Sequence, residues 1–335
     1  MIITKAPLRI SFFGGGTDYK PFFEEYGGSV ISSTFDKYVY VTARHLPRFF
    51  DYKNQITYAK IEQTNSVEEI QHPSVREAMK MLDMNELRVV YEADIPARSG
   101  VGSSSSFAVA MLQSFHALKG HFVSKQQLAQ EAIYLERELC KESGGWQDQI
   151  AASFGGLNRI NFTSDGFSVK PIVISKERKT LLNEHLMLFF TGFQRNSSDI
   201  AAEQVKTLKD KITELKELKD LTEEGEKILT SKCDLSAFGE LLRIGWELKR
   251  GLSDKISNNA IDDIYQKAMK NGALGGKLLG AGGGGFILLF VPPQRQEKMR
   301  AELKDFLHVP FTFENTGSSI LYYDPEDYTQ QETIK

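Results

Sequence analysis

The chain has 335 residues, 41% of them hydrophobic and 25% charged, and a formal net charge of −3 at pH 7. This length favours two domains over one, and the small acidic charge argues against a nucleic-acid-binding surface. Two cysteines indicate a reducing compartment without a disulfide framework. The N-terminus lacks a signal-peptide core and the longest apolar run is six residues, so we expect a cytoplasmic protein that does not enter a membrane.

The first half of the chain alternates between strand and helix patterns. Residues 1–60 contain three β-branched and aromatic segments separated by turn residues, which predicts strands. Residues 87–95 predict another strand. Apolar residues at helical spacing then predict helices over about 103–118 and about 125–141, and a third that begins near Trp146. Two further short strands follow, and we place the end of a first domain at residue 175.

The second half, 176–335, is predicted to form a second domain that begins with a buried strand at 186–192. Residues 198–230 are charged and carry one apolar face, which predicts a helix that packs on a core. Two more helices, a glycine-rich loop, a buried strand and a final helix–strand pair follow. Strands and helices mixed in both halves indicate an α+β architecture.

Residues 96–107, PARSGVGSSSSF, lead from a predicted strand into a predicted helix. A helix N-terminus has unpaired N–H groups and attracts anions. Glycine allows close backbone approach to a phosphate, and serine hydroxyls bind phosphate oxygens or Mg²⁺. A solvent-exposed loop that ends in a serine helix cap explains the same residues. The segment alone therefore leaves open a phosphate-binding loop and a plain connection.

A carboxylate interrupts the apolar face of the predicted helix 125–141. Ser124 and Gln127 form a capping-box pattern at its start. At 100° per residue, Glu136 falls in the middle of the stripe formed by Leu128, Ala132, Leu135 and Leu139. A buried carboxylate is unfavourable by several kcal/mol unless it is compensated. A divalent cation shared with a nucleotide or a buried arginine would compensate it, and a raised pKa would avoid the charge. Helices joined by a short loop pack antiparallel, which brings Glu136 towards the serines.

Three more residues admit two interpretations each. Asp148 lies at a helix start after two glycines, where it is either favoured by the helix dipole or placed as a general base. Arg9 lies in a strand, on the surface or in a cleft. Asp18 follows three glycines and is either a turn residue or a ligand-binding carboxylate.

Residues 275–286 contain seven glycines and precede a strand rather than a helix, unlike a dinucleotide-binding loop. Close backbone approach to a ligand or to the first glycine loop explains this composition, and so does a floppy hairpin. Lys277 within it either meets a phosphate or is solvated.

Three segments in this order, APLRISFFGGGTDY, PARSGVGSSSS and KLLGAGGGGF, resemble the motifs of the GHMP small-molecule kinases, the superfamily of galactokinase, homoserine kinase and the mevalonate and phosphomevalonate kinases. The resemblance extends to DKYVYV, GGWQDQIAASFGGLNRINF, TGFQRNSSDI and GWELKRGLS, and within the superfamily it is strongest to the D-glycero-D-manno-heptose 7-phosphate kinases. Two positions depart from the pattern: Arg98 replaces a small residue, and Ser103 replaces a glycine of the heptose kinases.

The resemblance implies a ribosomal-protein-like N-terminal domain, a ferredoxin-like C-terminal domain and an active site between them. It implies that ATP phosphates bind the backbone and hydroxyls of a continuous run: Gly100, Val101, Gly102, Ser103, Ser104 and Ser105. It also implies that Mg²⁺ binds Ser104 and Glu136. Asp148 aligns with the catalytic aspartate, and Arg9 aligns with the basic residue beside it.

The same resemblance implies a sugar site that contains Asp18, Gly16, Thr17 and Gly283. For a phosphate on the sugar we select Arg195, which follows a buried strand in an exposed loop. Lys37 and Arg44 are further candidates for that phosphate.

We therefore expect an ATP- and Mg²⁺-dependent kinase, monomeric or homodimeric, that phosphorylates the anomeric C1 hydroxyl of a sugar. The expected substrate is D-glycero-D-manno-heptose 7-phosphate and the expected product is its 1,7-bisphosphate. Two alternatives remain open: a kinase of another sugar, such as a galactose- or fucose-like one, and a binding protein that kept the fold but lost catalysis.

Overall fold

The computed structural model describes residues 1–97, 99–192 and 197–325, with the backbone alone at 197–199. The strands in chain order are β1 (Ile2–Phe13), β2 (Gly28–His45), β3 (Asn54–Thr57), β4 (Ile61–Thr64), β5 (Leu87–Ala93), β6 (Leu157–Thr163), β7 (Gly166–Pro171), β8 (Leu186–Phe190), β9 (Gly275–Leu278), β10 (Phe286–Phe290), β11 (Leu307–His308), β12 (Phe313–Glu314) and β13 (Ser319–Tyr323). The α-helices are α1 (Lys20–Tyr26), α2 (Pro73–Met81), α3 (Ser103–Leu118), α4 (Lys125–Tyr134), α5 (Gln147–Phe154), α6 (Lys176–Glu184), α7 (Ser197–Thr207), α8 (Ile212–Thr230), α9 (Ser236–Arg250), α10 (Asn259–Lys270) and α11 (Pro293–Glu302).

The described strands form two sheets. The larger has nine strands with the main order β13-β1-β2-β5-β3-β4; β6 and β12 pair with β2, and β7 pairs with β6. The smaller has four antiparallel strands in the order β11-β8-β10-β9. Helices accompany both sheets, so the two-domain α+β fold predicted from the sequence is confirmed. No helix in the described ranges is long and apolar enough to cross a bilayer.

Helix α3 is fixed to the centre of the larger sheet. It packs on β1 and β2, and two side-chain hydrogen bonds join it to β1. Thr4 Oγ1 donates to the Ala110 carbonyl over 2.8 Å, and Ser106 Oγ donates to the Pro7 carbonyl over 2.9 Å. The first turn of α3 is therefore held at a defined height along β1, beside Arg9.

Aromatic side chains join the two sheets. Phe238 of α9 meets Phe12 and Phe13 of β1 edge-to-face, with ring centroids 5.3 and 5.0 Å apart, and lies 6.3 Å from Phe290 of β10. These rings are almost completely buried, and edge-to-face pairs add about 0.5–1.5 kcal/mol each to the burial of their area. The junction is therefore part of the core.

The last two strands leave the region that follows the predicted boundary and return to the larger sheet. β12 pairs with β2, and β13 pairs with β1. The division into 1–175 and 176–335 stays a prediction, but the larger sheet takes strands from both sides of it.

Two predicted helices differ in detail. The helix predicted over 125–141 is α-helical only to Tyr134 and continues as a π-helical turn, Leu135–Leu139, where the Cys140 N–H donates to the Leu135 carbonyl five residues earlier. The Ser124 cap is confirmed, since its hydroxyl accepts from the Gln127 N–H. The helix predicted over 198–230 is divided into α7 and α8 by a short 3₁₀ turn.

Candidate functional site

Arg9, near the middle of β1, forms a two-bond ion pair with Asp148 in the first turn of α5. Its Nε donates to Oδ1 and its Nη2 donates to Oδ2, each over 2.8 Å. Arg9 is buried, whereas the Asp148 side chain is 23% exposed, so the carboxylate keeps one side open to a reactant. Because a bidentate arginine fixes both carboxylate oxygens, the sheet sets the orientation of Asp148.

The same arginine fastens the serine-rich loop before α3. Arg9 Nη1 donates to the Gly100 carbonyl over 2.7 Å, and the Arg9 N–H donates to the Val101 carbonyl over 3.0 Å. Gly102 has a φ of +81°, and a Cβ on it would lie 3.4 Å from Asp148 Oδ2. The loop therefore passes directly over the ion pair and places the unpaired N–H groups of α3 beside it.

Glu136 lies in the π-helical turn and is 1% exposed. Its Oε2 accepts a hydrogen bond from Ser105 Oγ over 2.7 Å and another from Gln149 Nε2, and Arg137 Nη2 lies 3.9 Å from the same oxygen. The carboxylate thus joins the first turn of α3 to the residue that follows Asp148. Insertions of π-helix recur at functional sites, and this one turns an acidic side chain towards the loop.

The residues present fit the predicted Mg²⁺ site in donor chemistry. Glu136 supplies a carboxylate and the first turn of α3 supplies hydroxyls, which are the hard oxygen ligands that Mg²⁺ prefers. The hydroxyl in contact with Glu136 is that of Ser105, whereas Ser104 is exposed and no hydrogen bond joins it to Glu136. In the described ranges no cluster of three or more His, Cys, Asp or Glu could hold a metal. Phosphate and water oxygens would therefore complete the coordination, as is common for Mg²⁺.

Asp18 forms a second buried carboxylate next to Asp148. Its Oδ1 accepts from the Gly16 N–H over 3.0 Å, and its Oδ2 accepts from Gln147 Nε2 over 3.0 Å. Burial, with a smaller contribution from the Asp148 charge, raises the pKa of Asp18. A Cβ on Gly145 would lie 1.8 Å from Asp18 Oδ2, so only glycine fits there. The two carboxylates are therefore near enough for the charge of Asp148 to act on Asp18.

The C-terminal glycine loop packs on the serine-rich loop, backbone against backbone. A Cβ on Gly280 would lie 2.6 Å from Gly100 Cα, and a Cβ on Gly285 would lie 2.2 Å from the Ser99 carbonyl oxygen. No side chain fits at either contact. Close backbone approach is thus the reason for these glycines, and the alternative of a floppy hairpin is wrong.

Two buried lysines stand behind this contact. Lys277 Nζ donates to the Phe12 carbonyl over 2.8 Å, and Lys249 Nζ donates to the carbonyls of Leu278 and Gly280 over 3.2 and 2.5 Å. The interpretation of Lys277 as solvated is wrong, because it lies in a buried strand. Burial, then the Lys249 charge, holds the pKa of Lys277 well below its ordinary value.

Because of Lys249, the stability of the fold is expected to vary with pH in the alkaline range. Burial, with the charge of Arg9, lowers the pKa of Lys249 to about 8 from 10.5. Between these values the unfolded chain keeps a proton that the folded chain has lost, so stability rises with pH. Between pH 7 and 10.5 we expect the free energy of unfolding of the wild-type protein to rise by up to about 3 kcal/mol relative to that of the Lys249→Met variant. Urea unfolding of both proteins across this range measures the difference, and a difference independent of pH would contradict the prediction.

Of the other predicted sugar-site residues, Gly16 and Thr17 directly precede Asp18 in the chain. Thr17 is buried, and its hydroxyl oxygen lies 2.8 and 2.9 Å from the carbonyl oxygens of Gly14 and Ser29, to one of which it donates. Gly16 has a φ of +102°. The Gly283 N–H donates to the Ile256 carbonyl over 2.9 Å.

The residues predicted to bind a phosphate on the sugar lie in different parts of the chain. Arg195 lies outside the described residues, and so does Arg98. Lys37 Nζ donates to Asp36 Oδ1 over 3.0 Å. Arg44 lies ten residues along β2 from Thr34, the partner of Arg9 in the sheet, which at about 3.3 Å per residue is roughly 30 Å away. Arg44 is therefore wrong as a candidate.

Sequence reasoning missed several polar residues of the cleft. Lys249 follows Leu242 and Trp246 on the buried face of α9, and the helical-wheel test that found Glu136 would have found it. Ser11, Gln147 and Gln149 gave no such signal, because their burial is decided by how α5 packs on β1.

Known proteins resemble the chain over both halves. Residues 70–156 match the family model of the GHMP kinases N terminal domain, and residues 229–309 match that of the GHMP kinases C terminal domain. The first match contains the serine-rich loop, Glu136 and Asp148, and the second contains Lys249 and the C-terminal glycine loop.

Individual relatives extend over nearly the whole chain. It is 28% identical over 318 residues to a D-glycero-alpha-D-manno-heptose 7-phosphate kinase from Campylobacter jejuni, an alignment that covers 90% of this chain and 93% of that protein. Its fold is similar to a D-glycero-D-manno-heptose 1-phosphate kinase from Bacteroides thetaiotaomicron, with a TM-score of 0.77, 24% identity, and coverage of 96% and 99% of the two chains. A galactokinase from Lactococcus lactis complexed with galactose has a TM-score of 0.74, 18% identity, and coverage of 95% and 94%.

Proposed function

The chain belongs to the GHMP kinase family, and from that premise we propose that it transfers the γ-phosphoryl group of ATP to the C1 hydroxyl of D-glycero-D-manno-heptose 7-phosphate. It is an ATP-dependent sugar kinase, as the two family segments and the heptose kinase relative indicate together. The heptose and the C1 position rest on that relative and on the motifs shared with such enzymes.

One observation supports the chemistry most directly: the Arg9–Asp148 ion pair lies immediately beneath the glycine turn that opens α3. Phosphoryl transfer needs positioning and charge stabilisation rather than covalent catalysis. The turn and the helix N-terminus would hold the phosphates of ATP, and Asp148, on the same side, would face the acceptor hydroxyl.

The roles of the residues follow from this arrangement. Asp148 orients the acceptor hydroxyl and takes its proton as the oxygen bonds to the γ-phosphorus and the bond to the β-phosphate oxygen breaks, releasing ADP. Arg9 keeps Asp148 in position. Asp18 accepts hydrogen bonds from other sugar hydroxyls. A Mg²⁺ ion would be held by Glu136 with a hydroxyl of the first turn of α3, Ser104 or Ser105, and supplies charge neutralisation at the phosphates.

The acceptor can be identified with a panel of sugars. We expect ADP to form fastest with D-glycero-D-manno-heptose 7-phosphate when that compound, its unphosphorylated heptose, galactose, fucose and mevalonate are compared at equal concentration. Phosphorus NMR of the product should show a second phosphate, at C1. A faster reaction with galactose or fucose would overturn the heptose assignment, and no turnover on any compound would favour a binding protein that lacks catalysis.

A further inference from the structure

Two polar atoms near Arg9 and Asp148 are buried without a hydrogen-bond partner: Ser11 Oγ of β1 and Gln147 Oε1 of α5. Ser11 is 5% exposed. A buried polar group that lacks a partner destabilises a fold by about 1–3 kcal/mol, and such groups in native proteins need an explanation. A ligand that supplies the missing bonds is one such explanation.

Gly15 lies beside the Ser11 hydroxyl and the side-chain amide of Gln147. Its neighbours Gly14 and Gly16 have positive φ angles and Gly15 does not, so the backbone there accepts any residue. A Cβ on Gly15 would lie 3.7 Å from Ser11 Oγ and 3.8 Å from Gln147 Nε2, which are ordinary contact distances. Neither strain nor a clash requires glycine. Gly15 therefore places no side chain between Ser11 Oγ and the Gln147 amide.

Ser11, Gly15 and Gln147 adjoin the proposed reaction centre. Ser11 lies two residues after Arg9, and alternate residues of a strand face the same side. Gln147 precedes Asp148, and its Nε2 donates to Asp18 Oδ2 over 3.0 Å. A group bound beside Ser11 and Gln147 is therefore within reach of both carboxylates.

The unused hydrogen-bonding capacity selects a hydroxyl. Asp18 accepts the Gln147 amide N–H, so the free end of Gln147 is its carbonyl oxygen, which only accepts. Ser11 donates or accepts. A phosphate or carboxylate would face that carbonyl oxygen and two carboxylates, which is unfavourable. A neutral hydroxyl donates to Gln147 Oε1 and accepts from Ser11 Oγ–H, which satisfies both.

We propose that Ser11, Gly15 and Gln147 form a specificity-determining subsite for a second hydroxyl of the acceptor, adjacent to the one that is phosphorylated. The inference rests on the proposed function, since it takes the acceptor to be a polyhydroxylated compound. The inference also places any charged group of the acceptor away from β1.

Replacing Ser11 by alanine separates this role from a structural one. The hydroxyl has no partner in the protein, so Ser11→Ala removes no internal hydrogen bond and the melting temperature should not fall. The KM for the best sugar of the panel should rise about 5- to 10-fold, the effect of one lost hydrogen bond, and the KM for ATP should stay the same. Ser114→Ala is the matched control, because Ser114 is also buried but donates to the Met111 carbonyl within α3. It should lower the melting temperature without changing either KM.

A second variant places a methyl group beside Ser11 and Gln147. Gly15→Ala should fold with unchanged stability and raise the acceptor KM at least about 10-fold, since the methyl group competes with the hydroxyl. If both variants keep the wild-type acceptor KM while wild type phosphorylates a sugar, the subsite is refuted and the kinase assignment stands. If wild type phosphorylates no sugar, the proposed function is refuted and the hydroxyl assignment with it.

Discussion

Replacing Asp148 by asparagine is expected to lower kcat by at least about 100-fold, and up to about 10,000-fold, while ATP binding stays close to wild type. The magnitude is that of a lost proton acceptor in a phosphoryl or acyl transfer. Arg9 donates to both carboxylate oxygens, and an asparagine retains one acceptor for it, so the side chain stays in place. In the proposed function ATP binds the loop and helix start above, which Arg9 continues to hold in the variant. Steady-state kinetics and nucleotide titration calorimetry measure the two quantities.

The control is Asp165→Asn in the exposed turn between β6 and β7, which should leave both quantities unchanged. The substitution at Asp148 also leaves the buried Arg9 charge with a weaker partner, so some loss of stability is expected. Retained nucleotide affinity establishes that the variant is folded. Turnover within a few-fold of wild type would remove Asp148 from the reaction.

Glu136→Gln is expected to raise the Mg²⁺ concentration required for half-maximal activity by about 10-fold or more, because a neutral amide is a much weaker ligand for a hard cation than a carboxylate is. The amide retains an oxygen that can accept from Ser105, so the contact between the π-helical turn and α3 can persist. The measurement is initial rate against free Mg²⁺ at fixed ATP.

Glu131→Gln provides a matched control one and a half turns earlier. Glu131 accepts from His116 and Gln127, so its loss should reduce stability without changing the Mg²⁺ dependence. An unchanged Mg²⁺ dependence of Glu136→Gln, accompanied only by a lower melting temperature, would make Glu136 a structural residue that joins Ser105 to Gln149.

The sequence located the parts of the site that follow local rules. The first turn of α3, the capped start of α4, the apolar face that Glu136 interrupts and the first-turn position of Asp148 all follow from helical spacing and from glycine and serine chemistry. These signals depend only on residues within one or two turns of each other, so they survive folding unchanged.

What the sequence could not provide depends on packing between distant segments. The hydroxyl in contact with Glu136 belongs to Ser105 rather than to the predicted Ser104. The choice between these neighbours depends on the rotation of α3 about its axis. The π-helical turn inserts a residue that a regular wheel does not allow for. The burial of Lys277 depends on Phe12, 265 residues away. α1 and α2 were missed although each has proline in its first turn, a start signal that short helices share with loops.

The pairing of β13 with β1 determines when the first residues of β1 are covered during biosynthesis. Residues 319–323 pair with residues 2–5 of β1, whereas Arg9 farther along the same strand donates its N–H to the serine-rich loop. The first residues of β1 therefore lack this partner while the ribosome makes the following three hundred residues, a period in which unpaired strand edges attract other chains. Premature termination before residue 319 would leave this part of the edge exposed even when Arg9, Asp18 and Asp148 have already been synthesised.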